Sequence, residues 1–493
     1  MPISRPLSPA RMFADLVGST TPAPARPLLK RVVVMGGSVA GLLAARALSG
    51  AAVEVVIVER DELDESADAR RGVPHGQQVH ALLAVGRMQL DRWFPGFSAA
   101  CVAEGAFVAP PADLRPALTG RNRRLRSVHP GIMSASRPFL EAMIRRRVIA
   151  LPAVTVLTGR ATGLEFVGET VTGVRVEVGG DERVERADLV VDATGRSSRL
   201  GEWLEQAGWE RPELVRLPIA LTYATGYFAP SEQPPEPPIT LLRDLPGRTN
   251  VAVYGPIEGE RFIVMLSGYG EDRPATTIDD FRAQIRDDLP ERFTRAAAGE
   301  PLGPIRLYHM GDSRRREFAS AYRLPARLVA VGDAVASFNP TYGQGISSAA
   351  LHAVCLESFL ATQPDLDAPA YGFFERQRLV VDAAWRMSTI MDELRVGIPL
   401  HHTVQERIAR LLTRFVLTAA PLDTTVEATA TAAGFMLVHP DALLSPPVIT
   451  RAAVAHGREA VCRAQAAGRQ GLGWLTERVN ELRGRDPVPD EAT

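Results

Sequence analysis

The chain has 493 residues, 46% of them hydrophobic, and its 56 basic residues nearly balance 57 acidic ones, which leaves a net charge of −1. This composition excludes an intrinsically disordered chain, and the balanced charge provides no overall field that would recruit nucleic acid or an anionic membrane. Three scattered cysteines lack metal-ligand spacing, so we expect no metal site and a reduced, cytoplasmic protein.

The first 29 residues contain several prolines and no unbroken apolar core. They therefore predict a flexible leader that cofactor binding does not need, rather than a signal peptide. No apolar run in the sequence reaches the roughly 18 to 20 residues of a membrane span, so we expect no transmembrane segment.

Residues 32–49, VVVMGGSVAGLLAARALS, predict a buried parallel strand, a glycine turn and an alanine-rich helix that packs closely on a sheet. A dinucleotide-binding turn places glycines at 36, 38 and 41, and here the second position is Ser38. A serine still permits close approach of the backbone, and its hydroxyl can cap the helix where free amides favour a pyrophosphate. The candidate phosphate-binding residues are Gly36, Gly37, Ser38 and Gly41.

A second predicted strand, residues 53–58, ends at Glu59. A carboxylate about twenty residues beyond the glycine turn is where a ribose-binding acid stands in dinucleotide-binding folds. The turn and Glu59 together predict a nucleotide site, and they leave NAD and FAD open.

The middle of the chain adds a weaker signal and a second kind of sheet. Residues 187–200, ADLVVDATGRSSRL, predict a third strand followed by a turn at Gly195. Residues 213–304 contain alternating β-rich stretches around a proline-rich loop, which predict an antiparallel sheet with one face on a pocket.

Residues 327–351, RLVAVGDAVASFNPTYGQGISSAAL, decide between the two nucleotides. A buried strand leads to Asp333, where a carboxylate can accept hydrogen bonds from a sugar chain, and Gly343 and Gly345 open another alanine-rich helix. FAD needs such a distant second site because its ribityl chain and ring extend beyond the first strand and helix. The pattern therefore favours FAD. Residues 363–482 are rich in helix formers, and residues 483–493 predict a disordered tail.

These stretches together resemble the flavoprotein monooxygenases of the hydroxylase type: GxSxxG with Glu59 is similar to their ADP site, DATG to their middle motif, and GDA with NPTYGQG to their flavin-ring motif. Residues 70–83, 136–148 and 381–395 resemble one branch, the flavin epoxidases of polyether antibiotic biosynthesis, which are more distantly related to squalene epoxidase.

The resemblance implies an α/β fold: a Rossmann-like FAD-binding domain interrupted by a mainly antiparallel β substrate domain and followed by a C-terminal helical region. The expected FAD domain is discontinuous, and its segments are residues 30–105, 136–212 and 305–362. Residues 106–135 and 213–304 would then form the substrate domain.

The resemblance also implies site residues. Pro340 and Tyr342 would lie beside the flavin ring, and Tyr223 and Phe338 would line the substrate pocket. The cofactor-binding residues would be Gly36, Gly37, Ser38, Gly41, Glu59, Arg60, Arg71, Arg137, Ala161, Gly195, Asp333, Gly343, Gly345 and Ile346. For His75 and His80, packing is the favoured interpretation over a catalytic role.

In such a site NADPH or NADH reduces FAD, and one oxygen atom of O2 reaches the substrate by way of a C4a-hydroperoxyflavin. Because alkene epoxidation needs no protein base and the sequence shows none, we expect an epoxidase acting on an apolar, polyketide- or terpenoid-like substrate of secondary metabolism. An aromatic hydroxylase is the alternative. A flavin halogenase is disfavoured because its WxWxIP stretch and active-site lysine are missing, and a scaffold without flavin also remains open. The sequence does not indicate an oligomeric state.

Overall fold

The computed structural model describes residues 8–19, 27–109, 131–236, 238–243, 249–397 and 403–461. The strands are β1 (Leu29–Met35), β2 (Ala52–Glu59), β3 (Ala81–Leu82), β4 (Phe107–Val108), β5 (Met133–Ser134), β6 (Val154–Thr158), β7 (Arg160–Val167), β8 (Thr170–Val178), β9 (Asp181–Arg186), β10 (Leu189–Asp192), β11 (Leu214–Phe228), β12 (Thr240–Leu242), β13 (Val251–Ile257), β14 (Arg261–Tyr269), β15 (Arg306–Arg316), β16 (Leu328–Ala330) and β17 (Ala336–Ser337).

The helices are α1 (Pro9–Val17), α2 (Val39–Leu48), α3 (Ala84–Trp93), α4 (Phe97–Ala103), α5 (Arg137–Ile149), α6 (Leu200–Gln206), α7 (Ile278–Asp288), α8 (Glu291–Ala296), α9 (Gly345–Ala361), α10 (Tyr371–Val396), α11 (Val404–Ala419) and α12 (Thr424–Gly434). Residues 446–461 are also helical. No helix in the described ranges has the length and hydropathy of a membrane span.

A parallel sheet in the described residues has the strand order β16-β10-β1-β2-β6. Its central strand is buried throughout its apolar half, from Val32 to Met35, as expected for a strand covered on both faces. The strand order reverses at β1, between β2 on one side and β10 on the other. In open α/β sheets the crevice at the carboxyl ends of such strands binds the ligand, and this crevice is where the predicted cofactor motifs follow their strands.

An antiparallel sheet in the described residues has the order β12-β13-β14-β11-β15-β17, and four of its strands come from the segment 213–304 for which such a sheet was predicted. Its extent corrects the predicted boundary at residue 305, because β15 pairs with β11 from Leu214 opposite Arg316 to Thr225 opposite Arg306. Strand β17 also joins this sheet. The prediction failed because the register of β15 is set by a partner some ninety residues earlier in the chain. Most of the predicted substrate segment 106–135 lies outside the described residues.

The predicted flexible leader is wrong for residues 8–19, which contain α1. Ser8 caps this helix and Pro9 occupies its first turn, where a proline is tolerated because its missing N–H has no partner in the helix. Phe13 is fully buried against the edge of the His439 ring, and the Gln89 side chain donates to the Val17 carbonyl at 2.7 Å. The helix therefore packs on the core. Residues 1–7 and 20–26, and the predicted tail 483–493, lie outside the described residues.

Candidate cofactor and active site

The turn between β1 and α2 is built so tightly that two of its positions require glycine. Gly36 has a φ of +105°, in the region that side chains rarely adopt. A Cβ on Gly41 would lie 1.8 Å from the Gly36 carbonyl oxygen. A Cβ on Gly332, which follows β16, would lie 2.4 Å from the Cβ of Ala40. The second predicted cofactor segment therefore touches the first turn of α2.

Glu59 lies at the carboxyl end of β2 and faces this turn. Its Oε2 accepts a hydrogen bond of 2.6 Å from the Gly37 amide, and its Oε1 accepts one of 3.1 Å from the Asp61 amide. Each carboxylate oxygen has two lone pairs, so both retain capacity for the hydroxyls of a ribose. Ala161 on β7 lies near this end, because the amide of Gly159 donates to the Glu59 carbonyl at 2.8 Å.

Ser38 does not cap α2 as the sequence suggested. Its hydroxyl instead donates to Glu141 Oε2 at 2.7 Å and accepts from Arg137 Nη2 at 3.0 Å. Both hydrogen bonds have a charged partner and are therefore stronger than one from a neutral helix amide, so Glu141 and Arg137 orient the hydroxyl. The structure thus brings Arg137 and Ser38 into direct contact.

Glu141 is the centre of a charged cluster that the sequence analysis missed. Arg70 donates to its Oε1 at 2.5 Å and also lies 3.1 Å from Asp61 and 3.7 Å from Glu59. Burial alone would raise the pKa of Glu141, but Arg137 and Arg70 hold it below its usual value. The signal lay in the arginine pair at 70 and 71, of which the buried member is Arg70.

Two predicted cofactor residues do not join this cluster. Arg60 and Arg71 are exposed in the structure, and neither has a hydrogen bond or ion pair to the other predicted site residues in the described ranges. A sequence motif indicates which segment approaches a ligand. It is less reliable in indicating which of two adjacent side chains makes the contact.

Asp333 lies between the charged cluster and the antiparallel sheet. Burial raises the pKa of its carboxyl group, while a hydrogen bond from Ser337 and the charges of Arg137 and Arg196 oppose that rise. Arg196 follows Gly195 in the middle motif and donates to Ser337 Oγ at 3.1 Å. Asp333, Gly195 and Arg137 are therefore neighbours, although they come from three separate segments.

An aromatic cluster stands beside Asp333. Tyr223 on β11 and Tyr308 on β15 are directly opposite in the sheet, with ring centroids 5.4 Å apart. The His75 ring lies 6.1 Å from Tyr308 and 5.5 Å from His80. Asp333 acts on the pKa values of both tyrosines, and Arg137 acts on those of both histidines. We call these four side chains the aromatic cluster.

The predicted flavin-ring residues form a tight turn, residues 339–342, before α9. The Asn339 side chain accepts from the Thr341 amide at 3.0 Å and from its hydroxyl at 2.8 Å. Pro340 is exposed, Tyr342 is partly buried, and Gly343 has a φ of +70°. Ile346 and Phe338 are buried in the core cluster.

Sequence analysis also missed Asp392 on α10, which is fully buried beneath this turn. Its Oδ2 accepts from Asn339 Nδ2 at 2.9 Å, and its Oδ1 lies 3.4 Å from the Tyr342 hydroxyl. Burial raises the pKa of Asp392 to about 6. The sequence offers no distinct signal for it, because the stretch WRMSTIMDE mixes polar and apolar residues and a second acid, Glu393, follows directly.

The residues fit an extended anionic and polar cofactor. Arg137 Nε and Gln344 Oε1 are buried and have no hydrogen-bond partner among the described residues, although buried polar groups are normally paired. A Cβ added to Gly195 or Gly345 meets no atom of the described chain within 4 Å, which leaves space at both positions. In the described residues, no three His, Cys, Asp or Glu side chains are grouped as metal ligands would be.

Residues 30–365, more than half of the chain, match the family described as FAD binding domain. The chain belongs to this family. Protein Rv3254 of Mycobacterium tuberculosis is 34% identical over 405 residues, covering 77% of this chain and 82% of that protein. Kynurenine 3-monooxygenase of Salinispora arenicola is 26% identical over 424 residues, covering 78% of this chain and 85% of that protein.

Among solved structures, p-nitrophenol 4-monooxygenase PnpA of Pseudomonas putida has a TM-score of 0.57 at 18% identity, covering 83% of this chain and 98% of that one. The predicted fold class and an FAD-dependent enzyme of the monooxygenase type are confirmed at the level of fold and family. The finer resemblance to flavin epoxidases stays a prediction.

Proposed function

We propose that this FAD-binding chain inserts one atom of O2 into a small apolar organic substrate held against the aromatic cluster, and that NADPH or NADH supplies the electrons. The observation that carries this proposal is the convergence of Glu59, Ser38, Arg137 and Asp333 at the carboxyl ends of the parallel strands, next to the face that carries Tyr223.

The nucleotide end of FAD would be held by Glu59 on the ribose and by the glycine turn with Arg137 on the diphosphate. Asp333 would accept hydrogen bonds from the ribityl hydroxyls. Turn 339–342 and the start of α9 would contact the ring, where helix amides favour the negative charge of reduced flavin. Bound FAD supplies the activation of O2, and the protein orients the substrate and excludes water.

The charge state of the aromatic cluster favours oxygen transfer to an alkene. Burial raises the pKa of Tyr223 and of Tyr308, so both stay protonated at neutral pH. Burial lowers the pKa of His75 to about 4 and holds that of His80 well below its usual value, so both histidines are uncharged. The protonated tyrosines are not bases, and the neutral imidazoles can accept a proton but are weak bases because their pKa values are low. Epoxidation of a carbon–carbon double bond removes no proton from its substrate.

Hydroxylation of an aromatic ring is the second candidate. The kynurenine 3-monooxygenase match at 26% identity covers most of both chains, and its name points to this chemistry. A phenolic substrate would gain from a base that removes its proton, and the aromatic cluster offers only the weakly basic imidazoles of His75 and His80. We also propose that the enzyme acts in secondary metabolism and is located in the cytoplasm.

The test offers the FAD-loaded protein a polyene and a phenol of similar size, each with NAD(P)H and O2. We expect the polyene to gain one oxygen atom. The product should hydrolyse to a diol in acid, and its amount should nearly equal that of the NAD(P)H consumed. Oxygenation of the phenol alone, with the polyene yielding only hydrogen peroxide, would reject the epoxidase in favour of the hydroxylase. The same reactions without FAD are the control.

A further inference from the structure

A buried hydrogen-bond network joins the flavin-ring turn to the C-terminal helical region. Asn339 contributes both ends of its amide: the oxygen holds Thr341, and the nitrogen donates to the Tyr269 hydroxyl at 3.0 Å and to Asp392 at 2.9 Å. Tyr269 ends β14 of the substrate sheet, and Asp392 lies on α10. A single side chain of the turn therefore contacts both other parts of the protein.

The contacts of Asp392 match a carboxylate and not a carboxylic acid. Its two oxygens accept from Asn339 Nδ2, from Arg395 Nη1 at 3.0 Å and from the Tyr342 hydroxyl, all of which are donors. The Asn339 oxygen cannot receive a proton from Asp392, because Thr341 already occupies it twice. A proton on Oδ2 would face the Asn339 amide nitrogen, and a proton on Oδ1 could avoid Arg395 Nη1 only if the Tyr342 hydroxyl turned to accept it. In either case at least one hydrogen bond that Asp392 accepts would be lost.

Groups of several elements face Asp392 and determine its protonation. Burial opposes ionisation, whereas Asn339, Arg395, Tyr342 and Arg243 favour it. The Arg243 guanidinium stacks 4.9 Å from the centre of the Tyr342 ring and donates to the Thr341 carbonyl at 2.6 Å. Tyr269 also faces Asp392 and lies under the Arg395 guanidinium at 4.3 Å. With a pKa of about 6, Asp392 is ionised at pH 8 and largely protonated at pH 5.

We propose that Asp392 is a positioning residue: as a carboxylate it fixes Asn339, and through Asn339 it holds Thr341 and Pro340 in the arrangement that oxygen insertion requires. This inference rests on the proposed function in assigning the turn to the oxygenation site. When the turn loosens, water reaches the site and O2 leaves as hydrogen peroxide. The coupled reaction converts NAD(P)H, H⁺, O2 and substrate to NAD(P)⁺, water and oxygenated substrate, whereas the uncoupled one converts NAD(P)H, H⁺ and O2 to NAD(P)⁺ and H2O2.

The first test needs neither FAD nor a known substrate. Amide hydrogen exchange is followed by mass spectrometry in peptides containing residues 339–344, in the full chain prepared without FAD, from pH 8 to pH 5, after correction for intrinsic exchange. In the unchanged protein we expect exchange to become about five- to tenfold faster as pH falls through about 6, the effect of one lost hydrogen bond. This titration requires no variant, so it stands even if a substitution prevents folding.

Asp392→Asn removes the charge at nearly constant shape. We expect fast exchange of the turn at every pH and loss of the pH dependence, while α10 stays protected. The matched control is Asp382→Asn on the same helix, whose half-exposed carboxylate pairs with Arg315 at 2.7 Å and does not contact the turn. Equal exchange in the unchanged protein and Asp392→Asn, no pH dependence in the unchanged protein, or the same acceleration in Asp382→Asn would each overturn the proposal.

Function is then measured in the FAD-loaded proteins with whichever polyene or phenol is oxygenated. We expect Asp392→Asn to form several times more hydrogen peroxide per NAD(P)H at pH 8 and to bind FAD within about twofold of the unchanged protein. Asp382→Asn should have little effect on either measurement, because its carboxylate does not contact the turn. If Tyr342→Phe, which keeps the contact between Asn339 and Asp392, reproduces the full uncoupling, the coupling runs through that hydroxyl and the role given to Asn339 is wrong. If no substrate is oxygenated, the proposed function fails while the exchange test still decides the role of Asp392.

Discussion

At the nucleotide end of the site, one continuous stretch from β1 to Glu59 supplies strand, turn, helix and carboxylate. At the flavin-ring end, turn 339–342 is held by side chains from β14, from residue 243 and from α10, which are distant in sequence. The first end is assembled by local chain geometry and the second by tertiary contacts. Damage to the first should therefore act mainly where it occurs, whereas the second should respond to changes far from it.

The two ends also differ in charge. At the nucleotide end Arg70, Arg137 and Arg145 pair with Glu141, and Arg70 also lies close to Glu59 and Asp61. At the flavin-ring end the smaller charged pair of Asp392 and Arg395 lies beneath the turn, and the aromatic cluster is uncharged at neutral pH. A charged surface suits a diphosphate, and the uncharged aromatic cluster suits chemistry from which water is excluded. The predictions below test this division from the largest expected effect to the smallest.

Phe13→Ala tests whether the flavin-ring end depends on distant packing. Phe13 is fully buried and α1 packs on α9 and α10, the helices that flank the turn. Replacing a buried phenylalanine should lower the free energy of unfolding by about 4 kcal/mol, measured by denaturant unfolding. Tyr322→Ala, at a side chain that is 83% exposed, is the control. A decrease of less than about 1 kcal/mol in the free energy of unfolding would support the original prediction that residues 1–29 are dispensable.

Gly41→Ala tests the local end. The added methyl group would meet the Gly36 carbonyl oxygen at 1.8 Å, and backbone atoms cannot move aside without opening the turn. We expect the free energy of unfolding to fall by about 3 kcal/mol. FAD retention on gel filtration should fall with it. In Gly457→Ala the methyl group meets nothing within 4 Å, so this variant should be neutral or more stable. Full stability of Gly41→Ala would contradict the close packing of turn and helix.

The difference between the ends explains what the sequence could predict. The strand, turn, helix and Glu59 follow from periodicity and glycine spacing because the pairing of β1 with β2 and the hydrogen bond from Gly37 to Glu59 lie within some thirty residues. Asp392 could not be recognised, since an acid between Met391 and Glu393 resembles a solvent-exposed helix position until Asn339, 53 residues away, covers it. The helix α1 was missed because its prolines were interpreted as breakers, although Pro9 in the first turn is compatible with a helix.

His352 links pH to the second cofactor segment. Its Nδ1 accepts from the Gly332 amide at 2.9 Å, next to Asp333, and burial lowers its pKa to about 3. Between pH 6.5 and pH 3 the unfolded chain therefore binds a proton that the folded chain does not, so stability falls as pH falls through this range and is constant above it. From this residue we expect a loss of about 2 kcal/mol at pH 5 relative to pH 8.

The pH dependence of unfolding should be smaller by about that amount in His352→Gln. His309→Gln serves as the control because His309 is exposed on β15. An unchanged pH profile in His352→Gln would show that His352 does not need to be neutral in the folded protein.

Glu59→Gln carries the smallest expected effect and bears most directly on the nucleotide end. The amide keeps an oxygen for the Gly37 N–H, but its nitrogen replaces the oxygen that accepts from the Asp61 amide, and the negative charge is lost. Because hydrogen bonds to charged groups contribute about 1.5 kcal/mol or more, FAD should bind about tenfold more weakly by fluorescence titration. Glu54→Gln, on the same strand but in a partly exposed pair with Arg31, should bind FAD normally. Equal FAD affinities of the two variants would show that Glu59 does not bind the ribose. The nucleotide end would then depend on the arginine cluster around Glu141, and Arg70→Gln and Arg137→Gln would be expected to weaken FAD binding instead.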